Sequence, residues 1–324
     1  MGHIDIIKNR LKPELEAMNQ IIVDSLHTHN EMMNNVVTRY LRVKGKQIRP
    51  ILVILSAKLY GDVKPEVLYA GAALEMLHNA SLIHDDVVDE TALRRGNQTI
   101  NARMGNHIAV LVGDFFVSNA LAAGIRTGSV NVVSALSDLG KELSLGEIDQ
   151  ICNARDHHFD EESYLQMIRQ KTASLFRNCV RMGAEISGAS PDECERITEF
   201  GELLGLCFQI KDDIFDYYEN PQIGKPTGND LREGKVTLPL LYALSNAQDE
   251  EGDAMRALLM RGELSDAEIA SLVDFAKRNS GVDYAFRRMR EMQQQAAALL
   301  SDLPDSDSKQ SFLDIFDFII ARDR

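Results

Sequence analysis

Two short acidic runs are the residues best suited to chemistry. Asp85, Asp86 and Asp89 stand at i, i+1 and i+4 in SLIHDDVVDE, at the end of an apolar helical run. At about 100° per residue, Asp85 and Asp89 stack on one helix face with Asp86 beside them. The same DDxxD spacing recurs in FQIKDDIFDYYE as Asp212, Asp213 and Asp216, again closing an apolar helix. Carboxylates grouped at a helix C-terminus repel one another and meet the negative end of the helix dipole, so each cluster needs a cation. Hard oxygen donors without His or Cys select Mg2+, which carboxylates usually hold together with substrate phosphates. A lone DDxxD is commonly a solvated helix end; a matched pair is far more specific. Glu75 and His78 form an ExxH, but no second ExxH accompanies it, as a di-iron bundle requires.

The elements that must position these clusters are helices. Apolar residues recur at three- and four-residue spacing with no sustained two-residue alternation, which predicts an all-α fold. Long helices are expected over 5–25, 64–89, 100–124, 129–153, 160–187 and 191–218, with shorter ones beyond 235. Nothing reads as a linker, so residues 1–324 are expected to form a single helical bundle around a deep central cavity. Gly188, Ser190 and Pro191 mark one helix break, and Ser265 with Glu268 forms a capping box. The longest irregular stretch, 219–234, is polar and rich in glycine, as lids over sites often are. The formal net charge of -14 excludes a nucleic-acid-binding surface. Cys152, Cys179, Cys194 and Cys207 lack CxxC spacing, which argues against zinc or a disulfide framework and for a reducing compartment. The first residues do not read as a signal peptide, and no uncharged stretch reaches the roughly 18 residues of a membrane span. A soluble, cytoplasmic protein is expected.

Cationic residues gather at breaks between helices. Lys46 and Arg49 lie in VKGKQIRP just before a helix, where free backbone N–H groups also favour phosphate. Arg94 and Arg95 follow the first acidic cluster, Lys171 and Thr172 interrupt a helix face in QKTASLF, and Lys225 and Lys235 bracket the irregular stretch. Together GKQIRP, HNASLIHDDVVD, RRGN, KTA, FQIKDDIFD and GKPTGNDLREGKVTLP resemble the motifs of the trans-isoprenyl diphosphate synthases, in order and spacing, over about residues 40–245.

The resemblance implies the isoprenoid synthase fold, a homodimer and a reaction between isopentenyl diphosphate and an allylic diphosphate. On it, Asp85, Asp86, Asp89, Asp212, Asp213 and Asp216 hold Mg2+ on the allylic diphosphate. Arg94, Lys171 and Lys225 bind that diphosphate, with Lys235 assisting, while Lys46, Arg49, His78 and Arg95 bind isopentenyl diphosphate. Gln209 and Thr172 face the developing allylic cation. Lys44 and Gln47 stand where the family usually has glycine and arginine. His84 is read as structural, and Arg322 and Arg324 as a frayed tail rather than a flap. No side-chain base is evident, which leaves released diphosphate to take the final proton.

Product length is gauged along the helix leading into Asp85, because one turn rises about 5.4 Å, close to one isoprene unit. Ala80 and Ser81 are small where family members making fifteen- or twenty-carbon products usually carry an aromatic, so the tunnel is expected to stay open. Leu77 and Met76, one turn back, are candidate floor residues, as are Ala73 and Leu74, with Phe115, Phe116 and Met182 on facing helices. The reading is a long-chain product of about six to ten units, octaprenyl as the single choice, for quinone side chains. Alternatives are a geranylgeranyl or farnesyl diphosphate synthase, a terpene cyclase, which would lack the second DDxxD, and a non-catalytic subunit of a heteromeric prenyltransferase.

Overall fold

A computed structural model describes the chain apart from Met1, residues 43–44, Arg95, residues 157–158, 219–226 and 323–324, and the side chains of Ala154 and Asp156. The described residues are helical almost throughout: α1 (His3–Arg10), α2 (Lys12–Ser25), α3 (Glu31–Arg42), α4 (Ile48–Tyr60), α5 (Pro65–Val88), α6 (Ile100–Met104), α7 (Asn106–Ile125), α8 (Val130–Asp156) and α9 (Glu161–Ile168), followed by α10 (Ser174–Ser187), α11 (Pro191–Phe215), α12 (Asn229–Arg232), α13 (Leu238–Asn246), α14 (Glu250–Leu259), α15 (Asp266–Arg278), α16 (Gly281–Leu299) and α17 (Asp307–Ala321). A π-helical segment, Arg169–Ala173, joins α9 to α10. The strands among the described residues are β1 (Leu93–Arg94) and β2 (Asn97–Gln98), an antiparallel pair with Leu93 opposite Gln98 and Arg94 opposite Asn97.

Three expected helices are interrupted, each for a local reason. The run 5–25 breaks at Leu11 because Pro13, in the first turn of α2, has no N–H for the carbonyl of Asn9. The run 100–124 breaks at Gly105, whose φ of 84° lies outside the helical region. The run 160–187 is locally underwound by the π segment, which is common where a helix carries functional groups. The irregular stretch 219–234 is shorter than expected on its C-terminal side, since Asn229–Arg232 make one helical turn; 219–226 lie outside the described residues.

The chain divides into two compact units, and all the divisions but the one after Ser301 fall inside helices, which is why no linker is visible in the sequence. The first comprises Met1–Lys141, Leu175–Gly201 and Asp302–Ile315. Its core is α4, buried on every side from Pro50 to Ala57, with α5 and α10 against it. Glycines permit close packing in this unit: a Cβ on Gly183 would stand 2.3 Å from the Val53 carbonyl oxygen of α4, and one on Gly71 of α5 would stand 2.2 Å from the Met18 methyl of α2. The second unit comprises Glu142–Ser174, Glu202–Ser301 and Phe316–Arg324. There α13 packs on α15 and α16, and the capping box opens α15, with the Glu268 carboxylate accepting from the Ser265 N–H at 2.8 Å.

Helix α7 belongs to the first unit. It buries Val112, Phe116, Ala120 and Ala123 yet leaves Leu111, Leu121 and Ile125 exposed on another face. By length and composition it is apolar enough to cross a membrane, although Asp114 interrupts it.

Candidate active site

In the first unit, α5 delivers its acidic cluster at its C-terminal end. Asp86 is buried, Asp85 half-buried, and Asp89 is the residue that ends the helix, its N–H donating to the Asp85 carbonyl at 2.8 Å. The β1–β2 hairpin, turned at Gly96 (φ 75°), brings Arg94 back so that its Nε donates to Asp86 Oδ1 at 2.8 Å. Burial pushes the Asp86 carboxyl above its usual range while the Arg94 guanidinium pulls it down. Asn101 anchors the same turn by donating to the carbonyls of Asp86 and Thr91 at 2.8 and 3.2 Å. Arg94 is thus an internal partner of the first cluster as well as a candidate phosphate ligand.

The candidate isopentenyl diphosphate residues also lie in this unit. Lys46 is exposed, Arg49 is half-buried with its guanidinium 5.1 Å from the centre of the Phe176 ring, and His78 is buried on α5. Gln47 takes a left-handed conformation (φ 53°) at the start of α4 and donates its amide to Asn19 Oδ1 at 3.0 Å, a tie that fixes the turn carrying Lys46. Arg95 falls outside the described residues. Among the chain-length candidates, Met76, Leu77 and Ala80 are buried, whereas Ser81 is half-buried and donates to the His78 carbonyl at 2.9 Å.

In the second unit, α11 ends in the other cluster and a pocket of about 150 Å³ opens beside it. Gln150, Tyr164, Lys171, Thr172, Gln209 and Asp213 line it, and Asp230 and Lys235 close it. The π segment aims Lys171 inward, where its ammonium pairs with Glu147 and donates to Gln150 Oε1 at 3.0 Å. Gly146 makes room for that bulge, since a Cβ there would stand 2.7 Å from the Lys171 backbone nitrogen. Asp213 is buried with both oxygens engaged: Oδ2 accepts from the Tyr164 hydroxyl at 2.6 Å and Oδ1 from the Gln209 amide at 2.8 Å. Gln209 Oε1 in turn accepts from the Thr172 hydroxyl at 2.7 Å.

The electrostatics of this cluster show what it lacks. Burial raises the Asp213 carboxyl to about 6 against the pull of its two donors, with Asp212 and Asp216 adding to the rise. Asp230 is raised well above the carboxylate range by burial and then by Asp213 and Asp216. Asp216 sits just past the helix and spends its oxygens on backbone, accepting from Asn229 N–H at 2.9 Å and Asp230 N–H at 3.0 Å. Asp212 Oδ1 accepts from Arg322 at 2.6 Å, and that guanidinium also donates to the Phe208 carbonyl at 2.9 Å and lies 4.2 Å from the Phe208 ring centre. The expected frayed tail is therefore corrected for Arg322, which is buried because two aromatic rings of α11, Phe208 and Phe215, receive it. Lys235 donates to Glu233 at 2.6 Å at the pocket edge. Lys225 and Arg324 lie outside the described residues.

Among the described residues no group of three acidic, imidazole or thiol side chains is arranged to hold a metal ion by itself. The donor chemistry nevertheless suits one. Each cluster is all carboxylate, carries raised acids, and draws on a guanidinium, Arg94 in one and Arg322 in the other. A hard divalent cation completed by phosphate oxygens meets the same need. Sequence reasoning misses Tyr164, Asp230 and Glu147, and assigns Arg322 to a tail rather than to the flap it also considers. Asp230 carries a signal, as an acid within GKPTGNDLREGK, whereas Tyr164 and Glu147 reach the site only through tertiary packing.

Comparison with known proteins agrees over nearly the whole chain. An octaprenyl diphosphate synthase of Haemophilus influenzae is 33% identical over 313 residues, covering 96% of this chain and 95% of that protein. The crystal structure of a decaprenyl diphosphate synthase from Rhodobacter capsulatus superposes with a TM-score of 0.93 at 31% identity, covering 99% of both chains. A geranylgeranyl pyrophosphate synthase from Bacteroides thetaiotaomicron superposes at 0.85 with 36% identity, again over 99% of both. The polyprenyl synthetase family model matches residues 30–276. With both DDxxD helices and the lysine-bearing pocket inside that span, the chain is a member of the polyprenyl synthetase family, with its all-α isoprenoid synthase fold.

Proposed function

We propose that this protein is a Mg2+-dependent prenyltransferase that adds isopentenyl diphosphate head-to-tail to an allylic diphosphate such as farnesyl diphosphate. Its product is a long trans-polyprenyl diphosphate of about six to ten units, octaprenyl in the first instance, for a quinone side chain. The observation that carries this is the pocket in which cationic Lys171 and Lys235 face buried Asp213 and the polar tip of Gln209. An anion and a cation are each accommodated there, as ionisation of an allylic diphosphate requires.

Asp85, Asp86, Asp89 and Asp212, Asp213, Asp216 are the residues that would hold Mg2+, and Asp213 and Asp216, already bonded within the protein, take the most indirect part. When bound, the metal neutralises the charge that grows on the leaving diphosphate. Lys171 is held by Glu147 and Gln150 in one orientation, so it stabilises that charge without reorganising. Arg94, Lys225 and Lys235 bind the same diphosphate. Gln209 Oε1 and Thr172 present lone pairs to the allylic cation. Lys46, Arg49, His78 and Arg95 hold isopentenyl diphosphate so that its double bond attacks, after which the released diphosphate takes the proton.

Length follows from Ala80 and Ser81, which leave the wall without an aromatic stop. The 36% identity to a geranylgeranyl pyrophosphate synthase favours a twenty-carbon product as the second reading. Homodimerisation is supported by α7, whose exposed Leu111, Leu121 and Ile125 form an apolar face suited to a second copy. Four free cysteines, two of them buried, are consistent with a reducing cytoplasm. The test is incubation of the purified chain with farnesyl diphosphate, isopentenyl diphosphate and Mg2+, followed by chromatography of dephosphorylated products. Alcohols of about thirty to fifty carbons are expected, six to ten units; the twenty-carbon alcohol geranylgeraniol supports the second reading. A hydrocarbon released without phosphatase, or no product, overturns both.

A further inference from the structure

We infer that Tyr164 is a positioning residue, acting through Asp213 to set which end of the Gln209 carboxamide faces the reacting carbon. The inference rests on the prenyltransferase reading above. Four groups form one chain of hydrogen bonds: Tyr164 Oη to Asp213 Oδ2 at 2.6 Å, Gln209 Nε2 to Asp213 Oδ1 at 2.8 Å, and Thr172 Oγ1 to Gln209 Oε1 at 2.7 Å. All four line the pocket.

The amide could in principle sit either way round, since its oxygen and nitrogen ends are nearly the same size. Thr172 does not decide between them, because a hydroxyl donates or accepts as needed. Asp213 does decide. A carboxylate only accepts, so it takes the NH2 end and turns Oε1 away from itself; the flipped amide would set two oxygens against each other. The carboxylate must itself be held for that choice to be firm. Tyr164, buried on α9, supplies the hold by donating to the oxygen that Gln209 does not use. With the phenol oxygen gone, Asp213 Oδ2 loses its donor inside the protein, and the carboxylate is free to turn toward another. Gln209 then loses the fixed acceptor that orients it, and a carbonyl dipole facing the cation becomes an average over both orientations.

Tyr217 provides the control. It is equally buried, and its hydroxyl meets Thr237 Oγ1 at 3.0 Å rather than a residue of the chain above. Tyr164→Phe should lower kcat about 10-fold or more, the usual scale for removing an outer partner of a site group. KM for isopentenyl diphosphate should stay within about twofold, and so should kcat in Tyr217→Phe. In a Gln209→Ala background, Tyr164→Phe should cost less than about twofold, because the group it orients has been removed. Multiplicative losses in the double variant, or equal losses from the two Tyr→Phe changes, overturn the inference. Should the wild-type chain make no prenyl diphosphate, the functional reading fails separately. The same cycle is then read in unfolding midpoints, where Tyr164 and Gln209 must still be non-additive; additive shifts refute the coupling itself.

Discussion

Placing phenylalanine at successive turns of α5 should shorten the product by amounts set by helix geometry. Ala80 and Ala73 are both fully buried and seven residues apart, hence on one face. At about 1.5 Å per residue they lie about 7.5 and 18 Å along the helix from Asp85. If one isoprene unit spans about one 5.4 Å turn, Ala80→Phe should stop growth at about fifteen to twenty carbons and Ala73→Phe about two units later. Each added ring overpacks a close-fitted site at a cost of about 1–3 kcal/mol, which a domain of ordinary stability, about 5–15 kcal/mol, survives. Products are read by mass after dephosphorylation, with farnesyl diphosphate as primer, and the first condensation should proceed at near the parent rate in Ala73→Phe. Unchanged length in both variants, or the same short product from each, would refute α5 as the gauge.

Removing the buried cation at the second cluster has a different signature. Arg322→Gln loses a charge-assisted bond to Asp212, itself partly exposed, and another to the Phe208 carbonyl; a loss of about 2 kcal/mol in denaturant unfolding is expected, and an unchanged midpoint would contradict the contact. Stability without metal should also depend on pH through Asp213. Its folded carboxyl keeps the proton to about 6, whereas an unfolded aspartate releases it near about 3.9, so the folded state binds more protons in between. Stability should therefore fall as pH rises from about 4 to 6, with the raised Asp230 and Asp86 carboxyls adding to the fall, and Asp213→Asn should make that slope shallower. A slope unaltered by the substitution would assign it to another group, and a rise across this window would contradict the burial of the acid.

The two acidic clusters were legible because their meaning depends only on helical periodicity and charge, both local properties. The all-α class was legible for the same reason. The break at Leu11 had a visible cause in Pro13, but the apolar spacing continues through it and masked the end of α1. The π segment at Arg169–Ala173 leaves no such trace: an extra residue in a turn is accommodated by what packs on it, here Gly146. Tyr164 and Asp213 are brought together by α9 meeting α11, which neither stretch of sequence encodes alone. Arg322 misled for an instructive reason. The residues after it, Asp323 and Arg324, are charged, as in a solvated tail, while the rings that bury it lie on α11.

The central claim is that both acidic clusters act on one diphosphate through divalent metal. Calorimetric titration of Mg2+ into the protein with a non-hydrolysable allylic thiodiphosphate tests it most directly, using Asp85→Asn, Asp212→Asn and the double variant. The account predicts that metal uptake depends on the analogue and that either substitution alone removes most of it, leaving little for the second to take away. Full metal uptake in one single variant, with the whole loss confined to the other, would contradict it.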